Sequence, residues 1–299
     1  MPNSPIFAVL DVGSNSVRLL VGQWAQGRPV PLHTQKITTR LLSGMAGGLL
    51  SPASIRRTAQ AIAQLADQAR AMGAAQVEGF GTSAMRDGGN RDALIALARN
   101  AGVELRVLSG EEEAGLAYAG AAPQGRRGVV DIGGGSTELL AGKDGAPLAA
   151  YSAQMGAVRL AEALGGDLRP GPMLDRARQA LAPAWAAVAS CPVEGWVGVG
   201  GTITSLAALD LALVPYDPDK VQGHPLTLQG VQAQFQRLCA LDLAQRQALP
   251  GLDPARADII PFGAAILLSF FHLSGTDRLL ASDQDNLLGY ARRFLPPGP

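Results

Sequence analysis

Cysteine is nearly absent from the 299 residues, with Cys191 and Cys239 the only two. Two cysteines build no disulfide framework and fit a reduced compartment. Histidine is as scarce. His33, His224 and His272 show no metal-ligand spacing. No Ser-His-Asp or Cys-His set accompanies them, which argues against a covalent enzyme. Net charge is missing too, because 25 Lys and Arg balance 25 Asp and Glu. No global field draws in a polyanion such as nucleic acid, so any anion binding must come from local groups. A membrane-length apolar run is also lacking. Ile259 to Leu273 is strongly apolar but contains Pro261, Ser269 and His272, and it falls short of the ~20 residues a span needs. It reads as a buried helix, with His272 expected as a hydrogen-bonded core residue. No basic and apolar leader precedes Ile6, so the expected location is the cytoplasm, with no membrane association.

Glycine, by contrast, is abundant, and its clusters organise the chain. Hydrophobic residues at 47% and charged ones at 17% describe a globular protein, long enough for two domains with separate cores. Near the middle stands Val129-Val130-Asp131-Ile132-Gly133-Gly134-Gly135-Ser136-Thr137-Glu138. A buried strand ends at Asp131, and consecutive glycines let the backbone turn sharply and approach a ligand. Successive amides in such a turn can converge on an anion. Ser136 and Thr137 add hydroxyls, while Asp131 and Glu138 supply hard oxygen ligands for a divalent cation. The same grammar recurs 120 residues earlier in Phe7-Ala8-Val9-Leu10-Asp11-Val12-Gly13-Ser14-Asn15-Ser16. Such a recurrence suggests two related domains. A third turn, Gly198-Val199-Gly200-Gly201-Thr202, leads into apolar material from Ile203.

Between these turns, alternating periodicities predict helices and strands. Ser51-Pro52 caps a long helix from Ala53 to about Met72, ended by Gly73. Val77 to Thr82 reads as a strand, Asn90 as the start or cap of a helix through Arg99, and Val103 to Leu108 as another strand. Ser109 is placed to cap a helix with an acidic first turn, Glu111-Glu112-Glu113. The polar connector 121–128 marks the expected boundary, giving domains of 1–122 and 123–285, with the final helix of 286–299 a candidate to rejoin the first. In the second domain Leu174 to Ala189 reads as a helix kinked or broken at Pro183. Pro215 to Pro225 reads as an irregular surface loop, Leu228 to Leu243 as a helix, Leu279 to Ser282 as a last strand, and 296–299 as a frayed tail.

The three turns resemble the phosphate and adenosine elements of the actin, sugar-kinase and heat-shock ATPase superfamily. That resemblance implies an α/β fold of two duplicated, ribonuclease H-like domains facing each other across a cleft. A narrower match follows from D-V-G-S-N-S, G-T-S-A-M-R-D-G-G-N, S-G-E-E-E-A, D-I-G-G-G-S-T-E-L, M-G-A-V-R-L, G-V-G-G-T and R-A-D-I-I in this order. From about Phe7 to Gly289 the chain resembles the exopolyphosphatase/guanosine pentaphosphate phosphohydrolase family. The resemblance implies Mg²⁺-dependent release of terminal phosphate from inorganic polyphosphate or from guanosine pentaphosphate.

Phosphoanhydride hydrolysis needs neutralised phosphoryl oxygens and a water aligned opposite the leaving group. Asp131 and Glu138 are the expected metal ligands, with Asp11 as a third contact. Gly133, Gly134, Gly135 and Ser136 would hold the reacting phosphoryl group, with Ser14, Asn15, Arg86, Gly200, Gly201 and Thr202 as further phosphate contacts. A Glu-Glu-Glu run alone reads as a solvated helix start. The family resemblance instead places the water-activating glutamate on Glu113 and leaves the solvated role to Glu111 or Glu112. Arg159 stays undecided between a helix surface and the site. Where family members commonly have G-L-R-E-G after Ser-Asp, this chain has Gln284-Asp285-Asn286-Leu287-Leu288-Gly289. Longer relatives carry a further C-terminal helical domain, and this sequence stops before it. The rival readings are a kinase or ATPase of the same fold and a non-catalytic sensor of an alarmone or polyphosphate. With zero net charge and few cations near the turns, the expected groove is short and favours short and medium polyphosphates. A homodimer is also among the expectations.

Overall fold

The computed structural model describes residues 5–121 and 124–295. Residues 122–123 of the expected connector, and the 296–299 tail, lie outside them. The chain divides into two compact units, Met1–Gly120 with Asn286–Pro299, and Ala121–Asp285.

The first unit begins with a meander of three strands, β1 (Ile6–Val12), β2 (Ser16–Ala25) and β3 (Arg28–Thr38). Helix α1 (Pro52–Ala71) follows, then β4 (Val77–Gly81), the short α2 (Ser83–Asp87), α3 (Asp92–Asn100), β5 (Glu104–Val107) and α4 (Gly110–Ala121). The sheet order is β3-β2-β1-β4-β5, antiparallel through the meander and parallel beyond β1. The central strand β1 has Val9 and Leu10 without solvent exposure, as expected of a strand covered on both faces. Helix α1 starts where Ser51 Oγ accepts from Ser54 N at 3.1 Å, with Pro52 in the first turn. It buries Ile55, Ile62, Leu65 and Ala69, one stripe at helical spacing. Each of the Ile and Leu side chains contributes about 1.5–3 kcal/mol on full burial. Gly73, at φ +94, lets the chain leave the helix.

The second unit repeats the plan. It runs through β6 (Arg126–Ile132), β7 (Thr137–Lys143), β8 (Ala146–Ala153), α5 (Ala157–Ala163), α6 (Pro170–Val188), β9 (Trp196–Val199) and α7 (Gly200–Asp210). It continues with α8 (Pro218–Val221), β10 (Pro225–Thr227), α9 (Leu228–Ala240), α10 (Leu243–Gln247), a 3₁₀ turn at Pro254–Arg256, α11 (Ile260–Ser274) and β11 (Arg278–Ala281). Its sheet order, β10-β11-β9-β6-β7-β8, matches the first sheet strand for strand from β8 to β11 and adds β10 at the edge. The parallel and antiparallel pairings also match. The core is dominated by α11, whose Ile260 to Phe271 are all buried, and by Trp196 and Phe270 meeting edge to face at 4.8 Å.

The last helix, α12 (Asn286–Phe294), belongs to the first unit. There Tyr290 stacks on Phe80 at 5.1 Å and donates its hydroxyl to Glu78 at 2.9 Å. Gly289 allows the close approach, since a Cβ at that position would stand 2.0 Å from the Leu116 carbonyl oxygen.

Three expectations need correction. His272 is exposed, because the last turn of α11 emerges from the core before Gly275 ends the helix in the left-handed region. Helix α6 is not broken at Pro183. That residue and Gln179, four positions earlier, are both exposed, so water can serve the carbonyl that proline leaves without a donor. The 215–225 loop is not wholly irregular. Asp217 caps one turn of helix there by accepting from Asp219 N and Lys220 N.

Candidate active site

In the second unit, β6 and β7 form a hairpin in which Asp131 and Glu138 are direct cross-strand partners. Direct partners lie on one face with their Cβ atoms about 5 Å apart. Asp131 is 5% exposed and Glu138 2%. Two carboxylates held this close repel by about 3 kcal/mol at an effective dielectric of about 20. A divalent cation held by the two would remove that cost, and hard oxygen donors are what Mg²⁺ takes. Ser152 Oγ donates to Glu138 Oε1 at 2.7 Å and fixes the orientation of that carboxylate. Among the described residues no three His, Cys, Asp or Glu side chains gather as a metal cage. A cation at this pair would therefore complete its shell with water and substrate oxygens, as Mg²⁺ commonly does.

The triple-glycine turn is defined by where its carbonyls go. Gly133 N donates to Ser136 O at 3.1 Å and closes the turn. Gly133 O accepts from Ala157 N at 2.9 Å, and Gly134 O accepts from Val158 N at 2.9 Å and Arg159 N at 3.0 Å. Gly135 O accepts from Arg159 Nε at 2.7 Å. All three carbonyls thus point at the start of α5. In a planar trans peptide the N–H points opposite to the preceding C=O. The amides of Gly134, Gly135 and Ser136 therefore point away from α5, in succession, as an anion nest requires. Gly156 lets α5 sit this close, since a Cβ there would stand 2.4 Å from the Gly134 carbonyl carbon.

The third turn meets the same hairpin, because β9 runs parallel to β6 with Val199 opposite Asp131. Gly200 combines φ +85 with a close approach: a Cβ would lie 2.3 Å from Asp131 Oδ1. Gly201 lies under the Arg256 guanidinium, whose Nη1 would stand 2.3 Å from a Cβ there. Thr202 is packed against Gly263 of α11, with its buried hydroxyl lacking a hydrogen-bond partner among the described residues. The second unit thus brings together Asp131, Glu138, the triple-glycine turn, Gly200 and Gly201.

In the first unit, β1 and β2 make the matching hairpin. Asp11 faces Arg18, which donates to Asp11 Oδ2 through Nε at 3.1 Å and through Nη2. Gly13 N closes the turn on Ser16 O at 3.0 Å. Ser14 O accepts from Leu42 N at 3.1 Å, and Asn15 O accepts from Thr39 N at 3.0 Å and Arg40 N at 2.8 Å. By the same planarity argument the amides of Asn15 and Ser16 point away from the 39–42 segment. Ser14 Oγ is buried and has no hydrogen-bond partner among the described residues.

A second cluster in this unit forms around α4. Glu112 makes a capping box, with Ser109 N donating to Glu112 Oε2 at 2.9 Å and Glu112 N donating to Ser109 Oγ at 3.1 Å. The Ser109 amide, aided by Arg106, holds the Glu112 carboxyl below its ordinary range. Glu113 instead turns inward, 6% exposed, and accepts from Arg86 Nη1 at 2.7 Å. Arg86 also donates to Leu108 O at 3.1 Å, while its buried Nη2 lacks a partner among the described residues. Geometry thus separates three adjacent glutamates: Glu111 exposed, Glu112 capping, Glu113 buried beside a guanidinium.

Sequence reasoning assigned no role to Arg18, Ser152 or Arg256. Arg18 and Ser152 are reachable only through strand register, whereas Arg256 stands in the R-A-D-I-I run and needed the 3₁₀ turn to be seen over Gly201. A cavity of about 590 Å³ lined by Leu211 to Pro218 and Lys220 holds none of the expected site residues.

A profile of the Ppx/GppA phosphatase family matches residues 20–284. Exopolyphosphatase 2 of Mycobacterium tuberculosis is 34% identical, over 95% of this chain and 97% of its own length. The guanosine-5'-triphosphate,3'-diphosphate pyrophosphatase of Vibrio vulnificus is 31% identical over 93% of this chain, which spans 56% of that longer protein. The Aquifex aeolicus Ppx/GppA crystal structure superposes with a TM-score of 0.80 at 28% identity, covering 97% of this chain and 98% of that one. The chain belongs to the Ppx/GppA phosphatase family.

Proposed function

We propose that this protein is an exopolyphosphatase that releases terminal orthophosphate from inorganic polyphosphate. The observation that carries the reading is the buried Asp131–Glu138 pair beside three successive amides that point one way. The amides of Gly134, Gly135 and Ser136 hold the oxygens of the terminal phosphoryl group. Gly133 closes the turn, and Ser14, Asn15, Gly200, Gly201 and Thr202 are further phosphate contacts. Glu113 takes a proton from the attacking water, whose oxygen bonds to phosphorus as the bond to the bridging oxygen breaks. Arg86 orients Glu113 through Nη1 and has Nη2 left for a phosphate oxygen. Asp131 and Glu138 would hold Mg²⁺, which supplies charge neutralisation at the phosphoryl oxygens when bound. Asp11, already paired with Arg18, is a further contact for it.

The choice of polyphosphate is supported by the end-to-end match to exopolyphosphatase 2. Guanosine pentaphosphate is the second reading, supported by the 31% identity to the pyrophosphatase. Phosphate release from both substrates, with and without Mg²⁺, tests the proposal. Mg²⁺-dependent release, faster from polyphosphate, is expected, with short and medium chains favoured in a length series. Chelator-insensitive turnover, or none on either substrate, would overturn it. Cytoplasmic residence fits the two free cysteines, of which Cys239 has its thiol pushed up to about 11 by burial and so is poorly reactive. No described helix is long and apolar enough to cross a membrane. Light scattering on the purified protein checks the expected homodimer.

A further inference from the structure

The two hairpin turns hold their third carbonyl in different ways. In the first unit Asn15 O receives two main-chain donors, Thr39 N and Arg40 N, at 3.0 and 2.8 Å. At the equivalent place in the second unit, Gly135 O receives a side chain, Arg159 Nε, at 2.7 Å. The same residue donates its backbone N–H to Gly134 O at 3.0 Å, and its Nη2 stands 3.5 Å from Gln154 Oε1. Arg159 therefore grips two successive peptides of the turn, one by its main chain and one by its guanidinium.

We propose that Arg159 is a positioning residue for phosphoryl transfer, fixing and polarising the Gly135–Ser136 peptide so that the Ser136 amide is aimed at the phosphoryl oxygens. The inference rests on the exopolyphosphatase reading of the same turn and adds a residue to it. Glycines at 133, 134 and 135 leave the turn with wide backbone freedom, so the orientation of its last peptide must be imposed from outside. A charged donor on the carbonyl makes a short, strong hydrogen bond. It also draws electron density through the planar amide, which strengthens the N–H on the other side. Main-chain donors from α5 fix the first two peptides whatever the side chains are. The third depends on one guanidinium.

The test compares the wild type with Arg159→Met and Arg159→Lys on short-chain polyphosphate, and follows the Ser136 amide resonance as inorganic phosphate is added. Arg159→Met is expected to lower kcat/KM by about 10- to 100-fold, as lost positioning shells do. Arg159→Lys, which keeps a charged donor, is expected to recover most of that loss. The Ser136 amide should be displaced in Arg159→Met before phosphate is added, and should respond to phosphate less than in the wild type. Loss of turnover with an unmoved Ser136 resonance would overturn the inference, because the guanidinium would then act elsewhere. A loss of less than about threefold would overturn it as well. If Arg159→Met does not fold, the Lys variant and its phosphate titration decide the matter. If the wild type turns over no phosphoanhydride, the enzymatic reading fails by itself, and the amide titration still tests the positioning role.

Discussion

The hairpin that opens each sheet follows one plan, and the two differ in the side chain that faces the aspartate. In both, an aspartate ends the first strand, a glycine amide closes the turn, and the residue seven positions after the aspartate faces it across the strands. In the first unit that residue is Arg18, so the pair is neutral and held by hydrogen bonds. In the second it is Glu138, so two carboxylates face each other, 2–5% exposed. A neutral pair has no use for a cation, whereas a buried dicarboxylate gains from one. The two turns share one plan, and one register position sets a pair of carboxylates, the donor type a divalent cation takes, in the second.

Giving the second hairpin the charge of the first is the most severe way to break this comparison. Glu138→Arg should abolish Mg²⁺-dependent turnover, an effect at least as large as losing a general base, about 10⁴-fold. Phosphate release checks the rate, and Glu138→Gln, which conserves volume, guards against a folding failure. Next comes Glu113, the proposed base, which lies in neither hairpin. Glu113→Gln should lower kcat by about 10²–10⁴-fold with substrate affinity largely kept. Glu112→Gln can still make the capping box and should stay near wild type in the same assay.

Smaller effects sharpen the contrast from the first unit. Arg18→Met leaves Asp11 without its guanidinium. Breaking a fully buried pair costs about 3–5 kcal/mol. Because the Arg18 side chain is 27% exposed, a loss of about 1–3 kcal/mol in urea denaturation is expected after that discount. Least of all, Glu112→Ala should cost about 1 kcal/mol at neutral pH through the lost cap. The folded-state pKa of Glu112 is depressed. Its charge-dependent contribution is therefore present above the ordinary carboxylate value and lost as pH falls through the folded one. The two proteins should converge in thermal stability on acidification.

How far the sequence alone could reach is clearest at these residues. The repeat of Asp-x-Gly after an apolar strand, with the turn glycines and Ser136, was legible because strand ends and glycine turns leave local marks. Helix α1 was legible through its cap at Ser51 and its apolar spacing, and α9 was legible as a helix from Leu228. Edge strands β3 and β8 were missed, since their polar and proline-rich alternation, as at Pro29, Pro31 and Pro147, carries little burial signal. The Asp11–Arg18 contrast with Asp131–Glu138 needed the register, and the grip of Arg159 on Gly135 needed the fold of the turn. His272 misled because an apolar run gives no sign of where its helix leaves the core.

Mn²⁺ titration followed by electron paramagnetic resonance tests the central contrast most directly, on the wild type, Glu138→Gln and Arg18→Met. The account predicts Mn²⁺ binding by the wild type, weakened at least about tenfold, or 1.4 kcal/mol, in Glu138→Gln and nearly unchanged in Arg18→Met. Binding that survives Glu138→Gln but is lost in Arg18→Met would contradict it, and would place the cation at the first hairpin.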